Sequence, residues 1–373
     1  VVLGAGIVGA ACALELAREG MHVAIVEQDA VGSGATAAGM GHIVVMDDSP
    51  AQFALTSYSQ RLWADLCSEL PPSVEYQRCG TIWVAADDEE MAEVRRKQLY
   101  YTSRGLTAEV LTSQELTDAE PHLNRPLAGG LLIPSDAVLY PPSAAGHLVA
   151  EARKLRAELV LGRTAKEARS GRVRLDNGSV LEAPILVLAT GALAPDLVPG
   201  LAIRKRKGHL IITDRYPGYV RHQLVELGYL KSAHSSASDS VAFNVQPRMT
   251  GQLLIGSSRQ FDAEEPGIDR EIVARMIDRV CLYMPGLASL AAIRVWSGFR
   301  AATPDKLPLI GPTDDRTVFL ATGHEGLGIT TSLATARLLV DSLLGRNSTI
   351  PLEPYLPSRF VRQPSLSMDV AHA

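Results

Sequence analysis

An α/β protein of two domains is the fold class this sequence predicts, and three observations carry the expectation. The chain has 373 residues, enough for two units of about 100–200 residues with a sizeable core each. It opens on a strand, a glycine turn, a helix and a second strand, the start of a parallel sheet. Its later part alternates short apolar strands and polar turns with helical stretches, the pattern of a second, mostly antiparallel sheet.

Composition narrows the function classes. The chain is 46% hydrophobic and 21% charged, as soluble globular proteins are, and its 31 Gly and 22 Pro are aperiodic, which excludes a collagen-like chain. A net charge of -5 argues against a broad basic surface for nucleic acid. No run of about 18 residues is apolar and uncharged, so no membrane span is expected. Cys12, Cys67, Cys79 and Cys281 form no C-x-x-C pair, so this chain alone is expected to bind no metal or iron–sulfur cluster. Sparse cysteine fits a reducing, cytoplasmic setting. Hydrolase and P-loop signatures are missing from the sequence.

Taken in order, residues 1–3 read as a short buried strand, 4–9 as a turn and 10–18 as a helix stopped by Gly20. Residues 23–26 form a second apolar strand ending in Glu27. Such a strand usually carries more residues before the turn, and no charged leader precedes it, so the natural start is expected a little upstream. Residues 50–70 and 88–104 read as helices; Phe53, Leu55, Tyr58, Leu62 and Leu66 recur near helical spacing. Residues 81–84 read as a strand. Pro141 and Pro142 precede a helix over 143–156. Asp176-Asn177-Gly178 joins two strands in a hairpin. Residues 185–188 form a buried strand leading into Ala189-Thr190-Gly191. Strand-like runs, among them 210–213 and 253–255, alternate with loops over 206–260. Residues 269–284 read as a helix, 318–321 as a strand and 330–344 as a long helix ended by Gly345; 346–373 read as a polar tail.

The opening turn carries the first chemistry. Gly4-Ala5-Gly6-Ile7-Val8-Gly9 lies between strand and helix, the context that a dinucleotide-binding motif requires. Gly4 permits the tight turn, Gly6 lets a pyrophosphate approach the backbone, and Gly9 lets helix pack on strand. The phosphates are expected on the helix N-terminus, where N–H groups and the dipole favour anions. Glu27, 18 residues after Gly9 and followed by Gln28, is placed to accept from ribose hydroxyls. The motif alone does not separate FAD from NAD. Three later segments favour FAD: the small-residue run Gly32–Gly41, with Ser33, Gly34, Ala35, Thr36, Gly39, Met40 and Gly41; the turn Ala189-Thr190-Gly191; and Gly323-His324-Glu325-Gly326-Leu327-Gly328-Ile329-Thr330 before the last helix. N–H groups at that helix start suit negative charge on a reduced flavin.

Those segments, with Trp296-Ser297-Gly298-Phe299-Arg300, Thr303-Pro304-Asp305 and Leu307-Pro308-Leu309-Ile310-Gly311, resemble the D-amino-acid oxidase family of FAD-dependent oxidoreductases over nearly the whole chain. Within it the sequence is most similar to β subunits of D-hydroxyproline dehydrogenase, opine oxidase and L-proline dehydrogenase or sarcosine oxidase complexes, through residues 39–48, Lys207-Gly208-His209-Leu210 and 323–331. The resemblance implies a discontinuous, glutathione-reductase-like FAD-binding domain of Rossmann type (1–48, 136–204 and 296–345). It implies a substrate domain (76–135 and 205–295), a helical connection (49–75) and a C-terminal tail (346–373). It further implies that the named glycine, Ile7, Val8, Glu27, Gln28 and loop residues bind FAD.

Arg300 is implied to pair with a substrate carboxylate, which a guanidinium fork does with two parallel bonds; a structural ion pair is the other reading. The family often has proline after this arginine, where this chain has Ala301. His42, Met46 and His209 are implied to lie near flavin or substrate, though a lone histidine is commonly just hydrogen-bonded. Asp47-Asp48 read as a helix start or solvated pair. Lys205-Arg206-Lys207 read as a solvated strand edge, or else as a contact for a partner or for FMN at a subunit interface. The implied activity is dehydrogenation of an amino or imino acid, such as D-hydroxyproline, in a complex with other subunits including an iron–sulfur subunit. A glycine/sarcosine-type oxidase making hydrogen peroxide and a non-catalytic FAD-binding subunit are the alternatives.

Overall fold

The computed structural model describes residues 1–124, 126–228, 239–261 and 263–360. Parts of two expectations, the strand-like run over 206–260 and the tail over 346–373, fall outside those residues.

A six-stranded sheet forms the first layer system. Its order is Leu309–Pro312, Val318–Thr322, Leu186–Leu188, Val2–Leu3, Ala24–Glu27 and Glu158–Leu161. All neighbours run parallel except the first pair. The central strands are apolar on both faces because helices cover one face and a three-stranded sheet, Ala165–Arg169, Arg172–Leu175 and Val180–Glu182, packs with Leu3, Val26 and Leu188 on the other. The helices Ile7–Arg18, Pro141–Lys154 and Gly328–Leu344 share one apolar cluster with Val2, Ile25 and Val187. The first helix starts at Ile7, earlier than expected, because the second half of the glycine motif is itself the first turn. Gly9 sits where a Cβ would lie 2.0 Å from the Gly4 carbonyl oxygen, so only glycine allows this helix so close to its strand.

An eight-stranded sheet faces the first. Its order is Ala292–Ala302, Arg204–Arg215, Gln252–Phe261, Ser240–Pro247, Gln223–Glu226, Thr81–Ala85, Gly129–Ile133 and Glu109–Thr112. Only the Gln223–Glu226 and Thr81–Ala85 pair is parallel. The helix Arg270–Tyr283, capped by the Asp269 carboxylate, covers one face; the other face looks toward the nucleotide half. The expected boundary at residue 296 falls inside Ala292–Ala302, which pairs with Arg204–Arg215 at every residue but Ile293, so 296–302 belong to this sheet.

Several elements differ from expectation for local reasons. Pro141 and Pro142 lie inside the first helical turn, where a missing N–H costs nothing. Glu158–Leu161 is an edge strand of half-exposed residues with no clean alternation. Gly129–Ile133 begins with two glycines, which read as loop. The described part of the expected tail packs on the body: Tyr355 is buried and its hydroxyl donates to the Ala51 carbonyl at 2.7 Å, while Arg359 pairs with Asp305.

Candidate active site

A cavity of about 670 Å³ lies between the two sheets. Its nucleotide side is built by the turns at the ends of parallel strands, where ligands of such sheets bind. Gly4 has a φ of +97° and lies against the Ala189 carbonyl, which joins the opening turn to the Ala189-Thr190-Gly191 turn. Thr36 Oγ1 accepts from Ile7 N–H at 3.0 Å, pinning the small-residue loop to the helix start. Glu27 is buried at its strand end, and its carboxylate accepts from Ala5 N–H at 2.7 Å and Asp29 N–H at 2.9 Å.

Most of the residues singled out from the sequence line this cavity: Gly4, Gly6, Ile7, Val8, Glu27, Gln28, Ser33–Thr36, Gly39–His42, Met46, Ala189–Gly191, Arg300 and Gly323–Ile329. Three do not. Gly9 acts through packing. Thr330 donates to the His42 carbonyl at 2.8 Å and so holds the neighbouring chain. His209 is fully buried in the sheet, its Nδ1 3.1 Å from Ser258 Oγ and its Nε2 accepting from Asp269 N–H at 3.1 Å. It faces away from the cavity because its neighbours Gly208 and Leu210 face it, and strands alternate.

The Gly323–Gly328 loop is tied down from below. Glu325 adopts a left-handed φ of 50°, its N–H donates to the Ala301 carbonyl at 2.8 Å, and its carboxylate accepts from the buried Arg206. Arg206 also lies 4.6 Å over the Phe261 ring. The basic run is therefore not a solvated edge: Ala292–Ala302 covers it, Arg206 and Lys207 are buried, and Lys205 lines the cavity. His324 is buried with Nε2 3.0 Å from Thr335 Oγ1, and burial lowers its pKa to about 3. Asp47 is no solvated residue either: it is buried against Lys97, which is 1% exposed, and accepts from Tyr101 at 3.1 Å. Asp48 pairs with Lys306 at 3.5 Å across the cavity lining.

Arg300 comes from the edge strand and lays its guanidinium over the neighbouring strand. A Cβ on Gly208 would lie 2.4 Å from its Nη1, and Nη1 donates to the Ser258 carbonyl at 3.1 Å. His42 sits on the same cavity, held neutral by burial, which brings its pKa to about 4; Gln246 pulls upward and Arg300 pushes down. The sequence reading missed Trp83, Gln223, Asn244 and Ser257, which line the same cavity as Arg300. Their signal was weak: polar residues alternating with apolar ones in a strand ordinarily read as a solvated face.

A strand–glycine turn–helix cradle opposite a wall bearing a half-buried arginine is the arrangement of a dinucleotide-binding protein with a second site beside the cofactor. The family of FAD dependent oxidoreductases designated DAO matches residues 1–342, and the chain belongs to it. Curated relatives include hydrogen cyanide synthase subunit HcnC of Pseudomonas aeruginosa, 26% identical over 98% of this chain and 97% of that one. Glycine oxidase of Geobacillus kaustophilus is 27% identical over 96% of each chain. The crystal structure of that organism's glycine oxidase superposes with a TM-score of 0.86 at 25% identity, covering 96% of this chain and 97% of that one. L-proline dehydrogenase from P. horikoshii gives 0.87 at 23% identity over 97% of each, a likeness of fold. The chain is thus an FAD-dependent enzyme of a family that acts on amino acids.

The residues present fit FAD. The Gly4–Gly9 turn leaves backbone open to a pyrophosphate, Glu27 ends the second strand, and the buried Thr190 Oγ1 lining the cavity has no partner among the described residues. Among the described residues no cluster of side chains could hold a metal, and no helix is long and apolar enough to cross a membrane.

Proposed function

We propose that this enzyme dehydrogenates an amino or imino acid at its Cα–N bond, with Arg300 holding the substrate carboxylate. The observation that carries the reading is Arg300 itself, half-buried on the wall that faces the nucleotide cradle, with Gly208 clearing its place. A guanidinium binds a carboxylate through two parallel charge-assisted bonds and so fixes both position and orientation. Bound FAD supplies the acceptor for two electrons and a hydrogen. The turns at 4–9, 32–41, 189–191 and 323–330 would hold it, where the six-stranded and eight-stranded sheets line one cavity. His42, neutral at physiological pH, adds no competing positive charge and can accept a hydrogen bond from the substrate nitrogen.

The substrate we favour is D-hydroxyproline or a related cyclic imino acid, with electrons passed to partner subunits, one of them an iron–sulfur protein. Support comes from the sequence resemblance and from a relative named as a subunit, HcnC. The relatives lend no support to FMN at an interface. Glycine oxidases among the relatives favour a second reading, oxidation of glycine or sarcosine with hydrogen peroxide as product. A screen of the FAD-loaded chain on cis-4-hydroxy-D-proline, L-proline, sarcosine, glycine and opines, each with a dye and with oxygen, tests both. Dye reduction with a cyclic imino acid and little peroxide is the expected result. Stoichiometric peroxide from glycine or sarcosine selects the second reading, and no turnover of any amino or imino acid contradicts both.

A further inference from the structure

The wall around Arg300 carries polar atoms that the fold does not use. Val225 stands opposite Asn244, and Asn244 opposite Gly256, on three adjacent strands. Alternation sends Leu224, Phe243 and Val245 into the apolar cluster on the far face, and Gln223, Val225 and Asn244 to the cavity. Gln223 is 2% exposed, Asn244 7% and Ser257 5%. Yet Gln223 Oε1, Asn244 Oδ1 and Ser257 Oγ have no hydrogen-bond partner among the described residues. Buried polar atoms are ordinarily paired, and leaving them unpaired is costly. Such atoms on a cavity wall call for ligand groups that pair with them.

Their place relative to Arg300 says which part of a ligand that is. The guanidinium donates to Ser258. From Ser258 to Asn244 is two residues along and one strand across, about 8 Å by the rise and spacing of strands. A small amino acid with its carboxylate on Arg300 can thus reach Asn244, and Ser257 next to Ser258, with a substituent remote from the carboxylate; Gln223, four residues along and two strands across from Ser258, is about 16 Å away and out of its reach. Carboxamides both donate and accept, as a hydroxyl does. The Asn244 carboxamide and the Ser257 hydroxyl are neutral and share the wall with Val225 and Trp83, so they suit an uncharged group, which needs no compensating charge.

We infer that Asn244 and Ser257 are specificity-determining residues of the substrate pocket, selecting an amino or imino acid with an uncharged hydroxyl-type substituent remote from its carboxylate. This rests on the reading of Arg300 as the carboxylate anchor. A site built to hydrogen-bond a substrate hydroxyl rejects the analogue without it far more strongly than an apolar pocket rejects a missing methylene.

The test compares the FAD-loaded parent with Ser257→Ala and Asn244→Leu. kcat/KM is measured on cis-4-hydroxy-D-proline and D-proline, and calorimetric Kd on tetrahydrofuran-2-carboxylate with and without a 4-hydroxyl, which has no amine to oxidise. The parent is expected to favour the hydroxylated member of each pair by about 100-fold or more, and each variant to cut that ratio at least about tenfold. A ratio taken within one preparation does not depend on the fraction folded. A parent ratio near one, or variants that keep the parent's ratio, overturns the inference and leaves the anchor standing. If neither furan carboxylate binds and neither proline turns over, the anchor reading fails and this inference fails with it.

Discussion

At position 208 a Cβ would stand 2.4 Å from Arg300 Nη1 and 2.8 Å from its Cζ. The atoms in the way are the end of a flexible side chain, so alanine there displaces the guanidinium instead of breaking the strand. Gly208→Ala is therefore expected to lower kcat/KM at least about tenfold, a cost of roughly 1.4 kcal/mol, while FAD content and Tm stay near the parent values. Kinetics and melting on the same preparation check this; unchanged kcat/KM would show that Arg300 does not act from the position described. His324 makes a second residue-scale prediction. Its pKa is about 3 in the fold against an ordinary 6.5, so the neutral form is the one the fold favours. The stability this gives is present above pH 6.5 and is lost as pH falls from 6.5 toward 3, on the order of 1 kcal/mol per pH unit. The Tm advantage of the parent over His324→Gln, which can still bond Thr335, should shrink steadily from pH 7 to pH 5. A difference independent of pH would contradict the burial of a neutral imidazole.

Among the elements, those on the nucleotide side were legible because each motif is contiguous. Gly4–Gly9, Glu27 and the Gly323–Gly328 run each place chemistry within a few residues of a strand end, and the structure brings them to one cavity. The opposite wall was not legible, because its residues come from separate strands and meet only through register. Asn244 faces the cavity because it pairs with Val225 and Gly256, and nothing in its own neighbourhood in sequence says so. His209 shows the converse. Its segment runs beside the cavity, but a one-residue alternation turns the imidazole into the sheet, where Ser258 and Asp269 satisfy it. Lys205-Arg206-Lys207 reads in sequence as a solvated edge, or else as a contact for a partner or FMN, because the strand that covers it is remote in the chain. Asp47 was read as a helix start, whereas Ser49 caps that helix and Asp47 is buried against Lys97.

For the whole molecule, function follows from two sheets of different construction meeting at one cavity. The parallel sheet supplies turns and a helix start, which suit phosphate and a flat ring. The antiparallel sheet supplies a rigid wall of side chains, which suits a small substrate. Membership of the DAO family joins these halves to FAD-dependent oxidation of amino acids. The central claim is that the wall recognises the substrate through Arg300, and kcat/KM of Arg300→Ala and Arg300→Lys on the best substrate tests it most directly. Removing one partner of a desolvated charge pair costs about 2–5 kcal/mol, so Arg300→Ala should lose roughly 30-fold to several-thousand-fold in kcat/KM. Arg300→Lys should recover only part of it, because an ammonium keeps the charge and loses the fork. FAD occupancy and Tm should change little in both. An Arg300→Ala enzyme that keeps its KM and kcat while its Tm falls would show a structural ion pair in place of a substrate anchor, and would contradict the account.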